Sequence, residues 1–488
     1  MRRALIIAAG LIGGASVLAA QAPARPAFNV DSIAGPTKLL EFTATEGTWT
    51  GVDVSPDGQR IVFDLLGHLY EMPIGGGDAA ALTKGRSYNH LPRYSPDGKT
   101  ILFTSDRSGK EELWLLHRGT DSVEKVSRLE NRAVAGSWSR DGRSIYVTAM
   151  DLGARFQAFR IDRHGSRLQL VNNGVFGAAT HFTELPSGRK VLFSEPAGPI
   201  YQVGFRIRSY DLETGELTSY LERPGGATDP LVSPDGKWLA YVHRENLATV
   251  LVLHDLASQQ ERILVPNLDR DRMESGAGST FGNYPNYSWT PDSRQIVIAY
   301  GGKIHSVSIA DGSAREIPYR APVRRVIAET IRFPVEIADG KAKTRSHGWI
   351  RRTDQGIISV ALGDVYLSNG ATHTNLTSSR ALETSPTYDP GTKTLYYASW
   401  SDDSLGAVWS MPLGTARRTP TRLSRVPAQY GSLTLSADGR SLAYLRGPTS
   451  LSRGQAIEDQ NEFDLIVVGP DRAEREVTKV AWRATNPL

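Results

Sequence analysis

Cysteine is absent from all 488 residues of this chain. Its absence excludes disulfide bonds, thiolate catalysis, cysteine-ligated zinc, iron–sulfur clusters and a lipid-modified cysteine at a mature N-terminus. The fold must therefore be held together by non-covalent contacts alone.

An excess of charge of one sign is also missing. The chain has 56 basic and 52 acidic side chains, for a formal net charge of +4. So small an excess, spread along the sequence, gives no reason to expect a nucleic-acid partner. Beyond the N-terminus, no run of about 18 apolar residues occurs, so we expect no further membrane helix.

Two catalytic signatures are absent as well. The sequence contains neither His-Glu-x-x-His nor Gly-x-Ser-x-Gly. This disfavours a zinc protease and an α/β-hydrolase peptidase encoded within the chain. We therefore assign no catalytic residue and no cofactor.

The N-terminus has the pattern of an export signal. Arginines at positions 2 and 3 precede an apolar, Ala-rich stretch that reaches position 20, and the triplet at 20–22 reads Ala-Gln-Ala. A charged start, an apolar core and an A-x-A site together predict a cleaved signal peptide over residues 1–22. The predicted destination is the periplasm, with no membrane attachment after cleavage. An uncleaved anchor is the alternative, and the match to twin-arginine export is weak.

A short turn motif recurs along the chain and is its most informative feature. Ser55-Pro56-Asp57-Gly58 is repeated at 95–98 and 233–236, and weaker copies lie at 139–142, 186–188, 290–293, 389–392 and 436–439. Pro, Asp and Gly supply the preset φ, the side-chain acceptor and the positive φ of tight turns, so we interpret these motifs as hairpin tips. The assigned tip residues are Pro56, Asp57, Gly58, Pro96, Asp97, Gly98, Asp141, Gly142, Gly188, Pro234, Asp235, Gly236, Pro291, Asp292, Pro390, Asp438 and Gly439.

Each tip is followed by alternating apolar residues. Ile61 and Phe63 follow the first tip, and Ile101 and Phe103 follow the second. This period of two predicts a strand with one face in a core. Further short strands complete each unit, and nine units recur at intervals of about 40 to 60 residues. The predicted fold is all-β, a β-propeller of four-stranded blades, whereas a β-sandwich would not explain nine copies of one unit.

The number of rings stays open. Units one to six occupy residues 38–317, a segment without a tip at 318–347 is expected to be an irregular crossing, and units seven to nine occupy 348–480. One ring of seven to nine blades competes with a six-bladed ring followed by an incomplete second propeller. Residues 38–42 resemble an outer strand that closes a ring by pairing with its last blade. Residues 481–488 are expected to begin an incomplete further blade.

The repeat resembles the TolB-type propeller repeat, and its best copy runs from Ser95 to Trp114. The opening from Glu46 to Tyr70, with residues 300–304 and 400–402, is similar to the exported propeller region at the front of amidohydrolase-related proteins. That resemblance implies a metal-dependent hydrolase barrel, which needs a His-x-His pair. The ten histidines include no such pair, so no metal site is carried over to this chain.

One loop interrupts the regular repeat. The segment 271–286 is rich in Gly, Ser and Tyr, and loops on a rigid scaffold often carry binding residues. It is our candidate binding loop, represented by Asp271, Glu274 and Tyr284.

The leading functional hypothesis is an exported, non-catalytic propeller that gates a substrate or binds a protein or peptide-like ligand at its face. The first alternative is the propeller part of a metal-dependent amidohydrolase whose barrel lies in a missing or separate domain. The second is a partner-binding envelope protein similar to that of the Tol system.

Overall fold

The computed structural model describes residues 29–33, 35–120, 122–126, 132–150, 156–164, 168–172, 179–196, 205–223, 225–245, 248–272, 282–330, 332–336, 340, 344–414, 418–447 and 462–481. Within these ranges the secondary structure consists of strands and turns, and no helix is long and apolar enough to cross a membrane. The predicted signal peptide at residues 1–22 lies outside the described residues.

Strands β1 to β27 build the first part of the chain, with β2 to β26 forming six four-stranded blades apart from the short β5. Their bounds are β1 Thr37–Ala44, β2 Val52–Val54, β3 Arg60–Leu65, β4 His68–Pro73, β5 Gly77–Asp78, β6 Ala80–Ala81, β7 Asn89–Tyr94, β8 Thr100–Ser105, β9 Glu112–His117, β10 Ser122–Lys125, β11 Ala133–Trp138, β12 Ser144–Met150, β13 Phe156–Asp162, β14 Leu168–Asn172, β15 Thr180–Glu184, β16 Lys190–Pro196, β17 Phe205–Asp211, β18 Leu217–Leu221, β19 Thr228–Val232, β20 Trp238–Glu245, β21 Ala248–Asp255, β22 Glu261–Leu268, β23 Ser288–Trp289, β24 Gln295–Tyr300, β25 Lys303–Ser308, β26 Ala314–Ile317 and β27 Tyr319–Ala328.

Strands β28 to β39 build three further four-stranded blades. Their bounds are β28 Gly348–Thr353, β29 Gly356–Ala361, β30 Asp364–Asn369, β31 Thr372–Asn375, β32 Leu382–Asp389, β33 Thr394–Trp400, β34 Ala407–Pro412, β35 Thr421–Arg422, β36 Gln429–Leu435, β37 Leu442–Gly447, β38 Glu462–Val468 and β39 Glu474–Ala481. Each of the nine sheets pairs its strands antiparallel and in chain order. The predicted all-β fold of four-stranded propeller blades is confirmed.

The tip between the first and second strand of a blade is fixed by local hydrogen bonds. In blade 1, Ser55 Oγ donates to Asp57 Oδ1 at 2.5 Å, and that oxygen also accepts from the Gln59 backbone N–H at 3.0 Å. The same hydroxyl-to-Asp bond recurs in blades 2, 3, 5, 6 and 9. Gly58 has φ of 70°, a conformation that other residues rarely adopt. The motif therefore specifies its own turn before any blade packs.

Neighbouring tips also touch each other. A Cβ placed on Gly236 of blade 5 would lie 2.6 Å from Pro186 of blade 4. A Cβ on Gly142 would lie 3.4 Å from Pro96, and one on Gly58 would lie 3.5 Å from Pro291 of blade 6. The glycine of one tip thus leaves room for the proline of the preceding blade's tip.

The core lies between blades rather than within them. One buried apolar cluster spans each junction from blade 1 to blade 6, and another joins blade 6 back to blade 1. In that closing cluster Ile61 and Phe63 pack with Val297 and Ala299. The Val52 N–H also donates to the Asn286 carbonyl at 2.8 Å. The first six blades therefore form a closed ring, which we call the ring.

An extra pair of strands straps the ring. β1 pairs antiparallel with β27 over eight residues, and β27 pairs in parallel with the short β5, which lies between β4 and β6 of blade 1 in the sequence. Ala321 and Val323 of β27 are buried in the cluster that joins blades 6 and 1. The outer strand expected at residues 38–42 thus exists, but it pairs with β27 instead of with a strand of the last blade.

The segment 318–347 differs from the sequence expectation. It was expected to be an irregular crossing, yet Tyr319–Ala328 form a ten-residue strand because alternate side chains bury against blade 1. Residues 332–336, further along this segment, form no strand. Blades 7 to 9 follow and are joined by two further buried clusters, and we call them the three-blade array.

The end of the described chain belongs to blade 9. Ala481 is the last residue of β39, the fourth strand of that blade. Residues 482–488 lie outside the described residues, so a further blade starting there stays a prediction.

Candidate functional site

The innermost strands of the six ring blades surround the axis of the ring. In blades 2, 3, 4 and 5 the innermost strand slips its register by a bulge, for example between His90 and Arg93 and between Thr180 and Thr183. Leu91, His181 and Asp229 lie in these bulges, each with φ of 54°. A bulge re-aims side chains, and positive φ in a non-glycine residue is strain that often marks a functional site.

A cavity of about 340 Å³ opens at the end of the axis where the tips lie. Its volume is at the low end of typical small-molecule pockets. All six ring blades contribute to its wall. The lining residues are Asp53, Arg93, Tyr94, Ser137, Trp138, Arg140, His181, Phe182, Thr183, Glu184, Pro230, Leu231, Val232, Pro234, Ser288 and Trp289.

The axis narrows beyond this cavity. A second space of about 10 Å³ is lined by Leu91, Arg93, Ser137, His181 and Asn286, together with two glycines. That volume holds about one water molecule. Arg93, Ser137 and His181 line both spaces, so they stand at the constriction between them.

A buried histidine–aspartate pair supports the constriction. Nδ1 of His181 lies 2.7 Å from Oδ1 of Asp229 on the next blade, and the Asp229 side chain is fully buried. Within the described structure neither Asp229 oxygen has a hydrogen-bond donor in line with it. A Cβ on Gly282 would lie 2.3 Å from Cε1 of His181, so only glycine fits beside the ring. The two side chains are therefore held side by side by close packing.

Arg93 is anchored at one end of its guanidinium. Its Nη1 donates to the Tyr287 carbonyl at 2.9 Å and lies 3.6 Å from Oδ1 of Asp53. The Asp53 carboxylate accepts from the Tyr94 N–H at 2.7 Å. Burial raises the pKa of Asp53, against the opposing effects of the Arg93 charge and of a hydrogen bond with Ser288. The carboxylate is thus committed to protein donors.

The junction of blades 1 and 6 adds a further buried carboxyl. Asp64 Oδ1 accepts from the Gly51 N–H at 2.7 Å, and burial raises the pKa of Asp64 to about 7. A Cβ on Gly51 would lie 2.3 Å from Oδ1 of Asn286. Asn286 Nδ2 donates to the Pro92 carbonyl at 2.9 Å and so links blade 6 to blade 2.

The candidate binding loop is only partly described. Asp271 accepts from Arg244 Nη2 at 2.6 Å and from Thr249 Oγ1 at 2.7 Å, and both partners in the ion pair are buried. Tyr284 is buried, and its hydroxyl donates to the Ala299 carbonyl at 2.9 Å. Glu274 lies outside the described residues. Asp271 and Tyr284 are thus engaged in the protein interior, and the binding loop stays a prediction.

Sequence reasoning missed the residues at the axis. They lie at fixed distances before the last residue of each tip. Five residues before it come Asp53, Arg93, Ser137, Thr183, Leu231 and Ser288, and seven residues before it come His181 and Asp229. Aligning the repeats on their tips would have shown that the first of these positions holds a charged or hydroxyl side chain in five of the six ring blades. Repeats stacked around an axis bring such positions together.

No group of three or more His, Asp or Glu side chains that could hold a metal ion occurs within the described ranges. The arrangement at the axis instead combines aromatic walls with hydrogen-bonding groups. It is suited to binding a small polar group.

Comparison with known proteins bears on the family. Residues 24–203 match the PD40 family, the TolB beta propeller domain. The uncharacterized protein Atu1656 of Agrobacterium fabrum is 26% identical over 206 residues, which cover 39% of this chain and 68% of that protein. The uncharacterized peptidase YuxL of Bacillus subtilis is 30% identical over 181 residues, which cover 36% of this chain and 24% of the peptidase.

Among solved structures, TolB from Acinetobacter baumannii aligns with a TM-score of 0.44 at 17% identity, over 56% of this chain and 65% of that one. This chain therefore spans less than a quarter of the peptidase and about two thirds of the TolB structure. The domain match confirms the TolB-type repeat inferred from the tips.

Proposed function

We propose that this chain, with its TolB-type propeller repeats, is an exported, non-catalytic scaffold of the cell envelope. It binds a protein or peptide-like partner at the axis of its ring. One observation carries this proposal: the cavity of about 340 Å³ at the tip end of the axis receives side chains from all six blades. A ligand there contacts the whole ring.

The composition of the cavity supports a polar ligand with an apolar part. Trp138, Phe182 and Trp289 form aromatic walls, and Arg93 and Ser137 supply hydrogen-bond donors. Binding pockets commonly combine a largely apolar wall with a few well-placed polar groups. The envelope location rests on the predicted signal peptide at residues 1–22.

Site-specific photocrosslinking tests the proposal. A photoreactive residue replaces Arg140, which is exposed at the rim of the cavity, and in a control it replaces Arg315, exposed on β26. We expect a discrete cross-linked partner in intact cells from position 140 and none from position 315. Equal labelling from both positions, or none from position 140 in the exported and folded protein, would contradict the proposal.

Two alternative functions use the same cavity but differ in the partner that binds there. In the first, the ring gates access to a metal-dependent hydrolase domain on a missing or separate chain, and the local similarity to a peptidase is the observation that favours it. In the second, the partner is an envelope lipoprotein of the Tol system, and the TolB domain match favours it. Identification of the protein cross-linked at position 140 separates the two.

A further inference from the structure

The strap formed by β1 and β27 ends in an unpaired strand edge. β1 is the outer member of the sheet β1–β27–β5, and within the described residues no strand lies on its other side. It pairs with β27 over its whole length without a bulge, and all its residues except Ala44 are exposed. Such an edge leaves a row of backbone N–H and C=O groups unpaired and is a template for a further strand.

The other two outer strands of the same length carry features that block pairing. β22 of blade 5 contains Pro266 and is interrupted by two shifts of register. β39 of blade 9 has one shift of register and charged side chains at half of its positions. Proline, bulges and charges protect natural edges from unwanted pairing. β1 has no proline and no bulge, and Lys38 and Glu41 are its two charged residues.

Apolar side chains of β1 remain uncovered. Leu40 and Phe42 lie opposite Arg325 and Val323, on the side of the strap that faces the ring, yet they are 40% and 43% exposed. Leu39, on the other side, is 47% exposed. β1 therefore extends beyond the body of the ring, and a strand beside it would cover part of these side chains.

The direction of the backbone groups follows from a bond at the end of the strand. The Glu329 N–H donates to the Pro36 carbonyl at 2.9 Å, and these residues continue the register of β1 and β27. Hydrogen-bonded and non-hydrogen-bonded pairs alternate along antiparallel strands, so the even-numbered residues of β1 bond to β27. The odd-numbered residues turn their N–H and C=O to the free edge, and they are Thr37, Leu39, Glu41 and Thr43.

The outward residues are complementary to a second copy of themselves. When two β1 strands pair antiparallel with Leu40 opposite Leu40 of the other copy, Leu39 meets Glu41 and Thr37 meets Thr43. Every outward residue then lies in a hydrogen-bonded pair. A centre at Leu39 or Glu41 leaves one outward residue without a counterpart in the strand. The centre at Glu41 also places two carboxylates opposite each other, which is destabilising.

The same register joins side chains on the ring-facing side of the strap. Leu40 meets Leu40 in a non-hydrogen-bonded pair, in which Cα atoms lie about 4.5 Å apart and side chains are close. Phe42 meets Lys38, whose ammonium group is attracted to an aromatic ring. The pattern of β1 therefore fits an identical strand on both its backbone and its side chains.

We propose that β1 is the docking strand for a second copy of this chain, with the two β1 strands antiparallel about a twofold axis at Leu40. The two three-stranded sheets then become one continuous sheet. Closed twofold dimers are the commonest protein assemblies, and here each copy covers the free edge of the other. The proposal goes beyond the binding function at the axis and does not depend on it.

Analytical ultracentrifugation of the mature full chain tests the dimer. We expect a monomer–dimer equilibrium at micromolar concentrations. Leu39→Pro removes an outward N–H and keeps the bonds to β27, because proline is tolerated on an edge strand where its nitrogen faces away from the sheet. This variant should weaken the dimer at least about tenfold, since each copy loses a hydrogen bond. Leu39→Thr, the matched control, keeps the N–H and should keep the dimer.

Single cysteines report the register, because the chain has none of its own. Leu40→Cys places two thiols across the twofold axis, at a Cα separation that a disulfide accepts. Phe42→Cys is the matched control, because its two copies lie about 13 Å apart along the strands. We expect oxidation to give a covalent dimer from position 40 and none from position 42.

Four results would overturn the proposal. They are a chain that stays monomeric at every concentration, equal cross-linking from positions 40 and 42, an unchanged dimer in the folded Leu39→Pro variant, and a monomer that binds a different protein through this edge in cells. Melting curves establish that each variant folds. The cross-link at position 140 is read in Leu39→Pro as well, and its persistence there shows that the axis and the edge act separately.

Discussion

The ring and the three-blade array use one repeat with different outcomes. Leu66-Gly67 in blade 1 and Leu362-Gly363 in blade 7 form the same loop, and both leucines are exposed with φ close to 52°. The isoleucines five residues before these leucines differ in burial. Ile61 of blade 1 is fully buried, whereas Ile357 of blade 7 is 45% exposed. Local conformation is thus shared, and burial is not.

The neighbouring blade explains this difference. Ile61 packs against Val297 and Ala299 of blade 6. Within the described part of the chain, the corresponding face of blade 7 has no such cover, and Trp349, Ile350 and Ile357 remain 44–61% exposed. A four-stranded sheet buries each face only against another blade, so the stability of a blade depends on its position in the array.

The largest expected effect concerns buried charge in the ring. Asp271→Asn removes the charged partner of Arg244, and both side chains are almost fully buried. Breaking such a pair costs about 3–5 kcal/mol. In the array, Asp464→Asn should cost about 1 kcal/mol, because Arg446 is more exposed and also contacts Glu476.

Hydrogen exchange in urea, read separately for peptides of each region, measures both changes. An equal loss in the two regions would contradict this prediction. If Asp271→Asn lowers the free energy of unfolding only slightly, Asp271 again becomes a candidate ligand-binding residue of the loop at 271–286.

The second-largest expected effect concerns the packing of blade 6 against blade 1. Ile61→Ala should lower the free energy of unfolding of the ring by about 2–5 kcal/mol, since it opens a cavity in a closed junction. Ile357→Ala should change the array by no more than about 0.5 kcal/mol. Urea unfolding of the two variants measures the difference, and similar losses would mean that the face of blade 7 is covered in solution.

The smallest effect is a dependence on pH. Burial raises the pKa of Asp64 to about 7, so between about pH 4 and pH 7 the folded state holds a proton that the unfolded state has lost. This group therefore stabilises the ring at low pH, and the stabilisation is lost as the pH rises to 7. Asp64→Asn should remove that slope, with a change of about 1–3 kcal/mol between pH 5 and pH 8.

Melting of the ring at the two pH values measures this slope. Glu383→Gln is the matched control, because Glu383 is a buried carboxyl of the array whose pKa burial also raises. Its effect should be confined to the array. An Asp64→Asn ring that keeps the wild-type slope would contradict the assignment.

The sequence predicted what short-range chemistry determines. The Ser-Pro-Asp-Gly tip builds its own hydrogen bonds within five residues, so the tips and the alternating strands after them could be inferred from the repeat. Closure of the ring could not, because it joins Val52 to Asn286 and Thr37 to Ala328 across most of the chain. Nothing local distinguishes blade 6 from a blade that continues the array.

The axis was beyond sequence reasoning for a related reason. Arg93, His181 and Asp229 come from three blades, and none lies in a recognised motif. Arg93 and His181 line the same spaces, and Asp229 contacts His181, in strands that carry bulges, and a bulge leaves little trace in the sequence. The composition of the loop at 271–286 predicted a binding loop, yet Asp271 and Tyr284 are buried in the ring.

The strap has a mechanical consequence. β1 and β27 run antiparallel, so the chain enters the ring beside Thr37 and leaves it beside Ala328, at the same end of the pair. Tension between the two flanking segments would load the Thr37–Ala328 pair first and then its neighbours in turn, as in unzipping, instead of shearing all eight pairs together. A ring fastened in this way resists heat through its buried junctions but opens at a low pulling force along the chain.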